Sequence, residues 1–125
     1  MQAPTKIMVV EDSLDFLTAL LATLVLEPRV KVVAAVHTGM QALSTLAEAA
    51  PDLILLDYRL PDISGVEVAR RIRQQNLKVK IAILTAYAEE FLSSGPLMTL
   101  LADTGVVDVI PKSGFTLARL RTLLN

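Results

Sequence analysis

The 125-residue chain contains no cysteine, which excludes disulfides, thiolate chemistry and zinc sites built on cysteine. Its single histidine, His37, excludes any centre that needs two imidazoles and reads as a surface or loop residue. An excess of one charge is also missing. The formal net charge of −1 gives no electrostatic footprint for direct nucleic-acid binding. Apolar runs are short and broken by charge, Pro or Gly, so none is long enough to span a bilayer. Ahead of Glu11 and Asp12 there are only four apolar residues in a row, too few for a secretory signal. These absences leave a soluble cytoplasmic domain, without membrane or nucleic-acid contacts, as the expectation. What is present suits one folded unit with one sizeable core, because 53% of residues are hydrophobic and 20% are charged.

Apolar runs of strand length occur at Ile7–Val10, Val30–Val36, Leu53–Leu56, Ile81–Leu84 and Val106–Ile110. Rich in Val and Ile, with little polar alternation, they suit parallel strands covered on both faces. Between them lie amphipathic stretches at helical spacing. Leu14, Leu17, Leu21 and Leu24 mark the first, and Leu43, Leu46, Ala47 and Ala50 the second. Val66, Ala69 and Ile72 mark the third, with Arg70, Arg71 and Arg73 on its outer face; Leu117, Leu120 and Leu124 mark the last. Ser13, Thr38 and Ser64 are plausible helix caps. Five strands alternating with five helices predict a doubly wound α/β sheet with right-handed crossovers.

Such sheets bind ligands beyond the carboxyl ends of their strands, at the point where strand order reverses. Strand one ends in Glu11-Asp12, strand three in Asp57, strand four in Thr85, and strand five leads through Pro111 to Lys112. In a sheet ordered 2-1-3-4-5 the three carboxylates meet at the switch point. Close carboxylates raise one another's pKa unless a cation lies between them. Oxygen-only donors point to a hard cation, and Mg2+ suits a site that keeps waters and admits phosphate. A carboxylate beside it can be a nucleophile towards phosphorus, with Lys112 balancing charge, the Thr85 hydroxyl meeting one phosphoryl oxygen and the Ala86 N–H another. Singly, each residue has a plainer role: Glu11 or Asp12 as a helix cap, Asp57 as a turn residue, Thr85 as an ordinary strand end, Lys112 as a solvated lysine. The plainer roles do not explain why four of the five strands deliver these residue types in this order.

The stretches "KIMVVEDS", "DLILLDYRLPDISGVEVARRIR", "KIAILTAY" and "IPKSG" together resemble a receiver domain of the two-component response regulators, the CheY-like family. The resemblance spans essentially the whole chain. It implies a five-stranded, flavodoxin-like three-layer sandwich in which residues 1–125 form the receiver, with an output domain expected beyond residue 125 if the chain is cut from a longer one. It implies Asp57 as phosphoacceptor, Asp12 and Asp57 as direct Mg2+ ligands, Glu11 acting through water, and Arg59 through its backbone carbonyl. Thr85, Lys112 and the Ala86 N–H would contact the phosphoryl group, while the side chains of Arg59 and Tyr87 would tune its lifetime. Pro61 and Gly65 fit the loop after the phosphorylated strand, where glycine permits a conformation that others resist. The implied partners are a histidine kinase or phosphotransfer protein as donor, and an output domain or target protein as receiver of the signal.

The chain departs from the family pattern in several places. Val109 stands where receivers commonly carry an aromatic switch residue. Thr85 and Lys112 are 27 positions apart, several more than usual, and "SSGP" breaks the excess segment. The fourth helix is therefore expected to be atypical, split into pieces near 89–92 and 96–102. Leu97, Met98, Leu100 and Leu101 suit burial against the sheet or, alternatively, a homodimer or partner surface. The last helix is short for the fold. Three rivals are a haloacid-dehalogenase-type phosphatase, which needs an acid where Arg59 stands, a flavodoxin-like binding module, whose phosphate Glu11 and Asp12 would repel, and a pseudo-receiver used only as a binding platform.

Overall fold

The computed structural model describes residues 3–75, 78–86 and 104–124. Five strands, β1 (Thr5–Val10), β2 (Val30–Val36), β3 (Leu53–Asp57), β4 (Lys80–Thr85) and β5 (Val106–Pro111), form one parallel sheet in the order β2-β1-β3-β4-β5. The four α-helices among the described residues are α1 (Leu14–Leu24), α2 (Gly39–Ala49), α3 (Gly65–Gln75) and α4 (Leu117–Leu123). The predicted doubly wound order is thus observed. The atypical fourth helix anticipated between β4 and β5, its apolar cluster and Tyr87 all lie outside the described residues.

The core has two layers, one on each face of the sheet. Alternate strand residues Met8, Val10, Ile54, Leu56, Ile81 and Ile83 pack against α2 and α3. Their neighbours Ile7, Val9, Leu53, Leu55, Ala82 and Leu84 pack against α1 and α4. A strand clad on both sides has no solvent face, so β3 is buried at every residue and reads as a continuous apolar run. Cover on both faces reaches the sheet's margins but is partial there. There β2 and β5 each have a neighbour on one side only, and most of their residues are partly exposed. Each also carries a register shift, a bulge of the kind that blunts an open strand edge.

The three anticipated caps are in place. Ser13 Oγ accepts from the Phe16 N–H, Thr38 Oγ1 from Gln41 and Ser64 Oγ from Glu67. Thr116 caps α4 in the same way, accepting from Arg119. Each cap fixes the first turn of a helix at the carboxyl edge of the sheet, where the chain leaves a strand. Among the described residues no helix is long and apolar enough to cross a membrane.

Candidate functional site: a carboxylate cluster with a lysine

Register builds the site. Val10 of β1 pairs with Leu56 of β3, so the next residues, Glu11 and Asp57, emerge side by side. Asp57 in turn pairs with Leu84, and Thr85 pairs with Pro111, which sets Lys112 one residue further on. The strands run to Asp57 and Thr85, and both residues are buried. Glu11, Asp12 and Asp57 each offer a carboxylate oxygen within 4.8 Å of the others. Glu11 is fully buried and Asp12 is exposed.

Lys112 Nζ lies 2.7 Å from Glu11 Oε1 and 3.3 Å from Asp57 Oδ2. The shorter contact is an ion pair whose alignment falls short of a hydrogen bond. Glu11 Oε1 is therefore left as a buried oxygen without an aligned donor, while Oε2 accepts from the Ser13 N–H at 3.0 Å. Asp57 Oδ1 accepts weakly from the Arg59 N–H, at 3.3 Å. Burial and the facing Glu11 carboxylate push the Asp57 pKa up to about 7, against the pull of Lys112 and the Arg59 N–H. Burial alone would lower the Lys112 pKa, but the Glu11 and Asp57 carboxylates outweigh it and raise it. Two buried carboxylates thus share one ammonium, and each has one backbone N–H besides. That arrangement suits a hard cation with oxygen ligands.

Glu11, Asp12, Asp57 and Lys112 are therefore brought together, and Thr85 stands beside them in the next strand. Ala86 follows Thr85 at the exposed edge, and Arg59 is exposed in the loop after Asp57. Gly65 requires a correction. Its backbone is not in the left-handed region; instead, a Cβ there would sit 2.3 Å from the Asp57 carbonyl oxygen. Glycine is needed for close approach, with the Gly65 N–H donating to the Tyr58 carbonyl at 2.8 Å. His37 is exposed as expected, but its strand is β1's neighbour and its Nδ1 lies 3.2 Å from the Glu11 carbonyl oxygen.

Asp62 escaped the sequence reading. Its two carboxylate oxygens accept from the Gly39 and Met40 N–H groups, each at 2.8 Å, tying the loop after Asp57 to the start of α2. Gly39 allows this approach, since a Cβ there would lie 2.6 Å from Ile63 Cγ1. The Pro61-Asp62 pair signals a turn, but nothing local reveals a helix start more than twenty residues earlier as its partner.

The response regulator receiver domain model matches residues 7–125. The protein-glutamate methylesterase/protein-glutamine glutaminase of Treponema denticola is 31% identical over 120 residues, covering 94% of this chain and 31% of that protein. The alkaline phosphatase synthesis transcriptional regulatory protein PhoP of Bacillus subtilis is 41% identical over 86 residues, covering 69% of this chain and 35% of that protein. The chain thus spans about a third of the length of these relatives. Among solved structures, the response regulator domain of Thermotoga maritima CheB superposes with a TM-score of 0.74 at 25% identity, covering 97% of this chain and 88% of that one. A CheY-like receiver domain protein from Methanospirillum hungatei reaches a TM-score of 0.81 at 20% identity, covering 97% and 91%, and speaks for the fold alone.

Proposed function

The chain belongs to the response regulator receiver domain family, and from that premise we propose that Asp57 accepts a phosphoryl group and thereby switches the domain's surface. The observation that carries this reading is the convergence of Glu11, Asp12 and Asp57 within 4.8 Å, with Lys112 Nζ 3.3 Å from Asp57. Receiver domains are signalling domains that bind Mg2+ at an acidic pocket, and the donor chemistry here fits that ion. In this reading Asp12 and Asp57 would hold it directly, Glu11 would act through water and Arg59 through its backbone carbonyl. Bound there, Mg2+ supplies positive charge that favours the ionised carboxylates and offsets the phosphoryl oxygens.

The remaining work falls to the chain's own groups. An ionised oxygen of Asp57 forms a bond to phosphorus as the bond from phosphorus to a kinase's protonated imidazole, or to the acyl oxygen of a small acyl phosphate, breaks, releasing neutral imidazole or a carboxylate. The Lys112 ammonium pairs with a phosphoryl oxygen, and the Thr85 hydroxyl and Ala86 N–H donate to the others. Because Thr85 ends β4 and Lys112 follows β5, their new partners bias the surface around β5 and the helix expected between β4 and β5. Residues 1–125 act as the receiver unit, and the response is delivered by an output domain or target protein, with homodimerisation as one route. The chain's own chemistry is limited to its phosphorylation and dephosphorylation.

Incubation with Mg2+ and acetyl phosphate should add one phosphoryl group to the wild type and none to Asp57→Asn, as read by intact mass. An unmodified wild type, or an equally modified variant, overturns the assignment. Sedimentation of the same samples reports on dimerisation, which requires a rise in mass on phosphorylation.

A further inference from the structure

The Lys112 ammonium has a third neighbour besides Glu11 and Asp57. Phe16, in the first turn of α1 after the Ser13 cap, lies under it with the ring centroid 4.8 Å from Nζ. That is within the range of about 6 Å over which the negative face of an aromatic ring attracts a cation. The ring is partly buried against the α1 side of the core, and the Lys112 side chain is only 19% exposed, so water screens the contact weakly. The chain has just three Phe and two Tyr, so a ring beside this lysine is not a consequence of composition.

The three neighbours differ in what competes for them. Glu11 and Asp57 carry negative charge that a divalent cation would claim, and a cation there repels the ammonium. The ring carries no net charge and has no oxygen to offer a hard cation. We propose that Phe16 is a positioning residue for phosphoryl transfer, its ring face keeping the Lys112 ammonium beside Asp57 when the carboxylates are engaged by a divalent cation. This role rests on the function proposed above, in which Lys112 meets the phosphoryl group. An aliphatic side chain at position 16 would still cover the lysine stem but would not attract its charge.

Two measurements test it. In the metal-free protein, NMR of the Lys112 side-chain methylene protons should show upfield ring-current shifts that vanish in Phe16→Leu. In the presence of Mg2+ and acetyl phosphate, a series of ring-fluorinated phenylalanines at position 16 keeps the ring's shape nearly constant while draining negative charge from its face. The phosphorylation rate should fall stepwise along the series by about three- to tenfold in total, with Phe16→Tyr close to wild type. Shifts that are absent from the wild type, or a rate indifferent to fluorination, overturn the role of Phe16. A wild type that takes up no phosphoryl group overturns the proposed function and this role with it. The fluorinated rings keep the test decisive even if Phe16→Leu folds poorly.

Discussion

Asp57 and Glu27 lie at opposite ends of the sheet and are equally hidden, each 4% exposed, yet their surroundings hold them in opposite states. Glu27 precedes β2 at the amino edge of the strands. Its oxygens accept from Arg29 Nε at 3.0 Å and Arg121 Nε at 2.9 Å, and the Arg29 N–H adds a third bond. Hydrogen bonds from those arginines hold its pKa down at about 2. Its cover is the arginine side chains themselves, each about half exposed, rather than the apolar core. Asp57, at the carboxyl edge, shares one lysine with Glu11 and receives one long backbone bond. Equal exposure therefore does not fix a carboxylate's state: burial and the facing Glu11 raise Asp57, whereas hydrogen bonds from Arg29 and Arg121 outweigh burial at Glu27. At the amino end Glu27 is fully paired and ties the loop after α1 to α4. The carboxyl end is left incomplete, which is the condition a ligand can relieve.

The largest expected effect follows from Asp57. With its pKa raised from 3.8 to about 7, the folded protein keeps a proton that the unfolded chain releases. Stability should therefore fall as pH rises through that window in metal-free buffer. Asp57→Asn removes this slope, so urea unfolding should find the variant about 2–4 kcal/mol more stable than wild type at pH 8, converging near pH 4. Equal stability at both pH values would erase the contrast between the two ends. Added Mg2+ should stabilise the wild type more than the variant.

Glu27 should behave in the opposite sense. Its contribution is complete above pH 4.5 and is lost as pH falls towards about 2. Glu27→Gln should lower the melting temperature at neutral pH and flatten the wild type's acid limb between those values, as read by acid unfolding. An unchanged acid limb would mean that the two arginines do not set its state. Asp62→Ala should have the smallest effect, about 1 kcal/mol for a lost helix cap. Faster amide exchange at Gly39 and Met40, with Gln41 still protected by Thr38, would locate that loss. Unchanged exchange at both amides would break the link between the loop after Asp57 and α2.

What could be read from the chain beforehand follows the range of the interactions. The strands themselves, the caps at Ser13, Thr38 and Ser64, and the residues at the strand ends are local signals, because period and spacing carry them, whereas the order of the strands comes with the family resemblance. Nothing in the sequence singles out Glu27, because its partner Arg121 lies 94 positions away and no pattern links them. Asp62 reads as a turn residue from its neighbours, and only the packed α2 reveals it as a cap. Nothing in the sequence singles out Phe16, and the fold alone brings Lys112 over its ring. Gly65 could be singled out, but for backbone freedom rather than the close approach that accounts for it.

The central claim is that the incomplete end of the sheet is a phosphoryl-acceptor site centred on Asp57. The most direct test is to treat the protein with acetyl phosphate and Mg2+, reduce it with borohydride, and sequence the peptides by mass spectrometry. Homoserine at position 57, dependent on Mg2+, is the predicted result. Homoserine at Glu11's neighbour Asp12 instead, or no reduction product in a fully folded protein, would contradict the account.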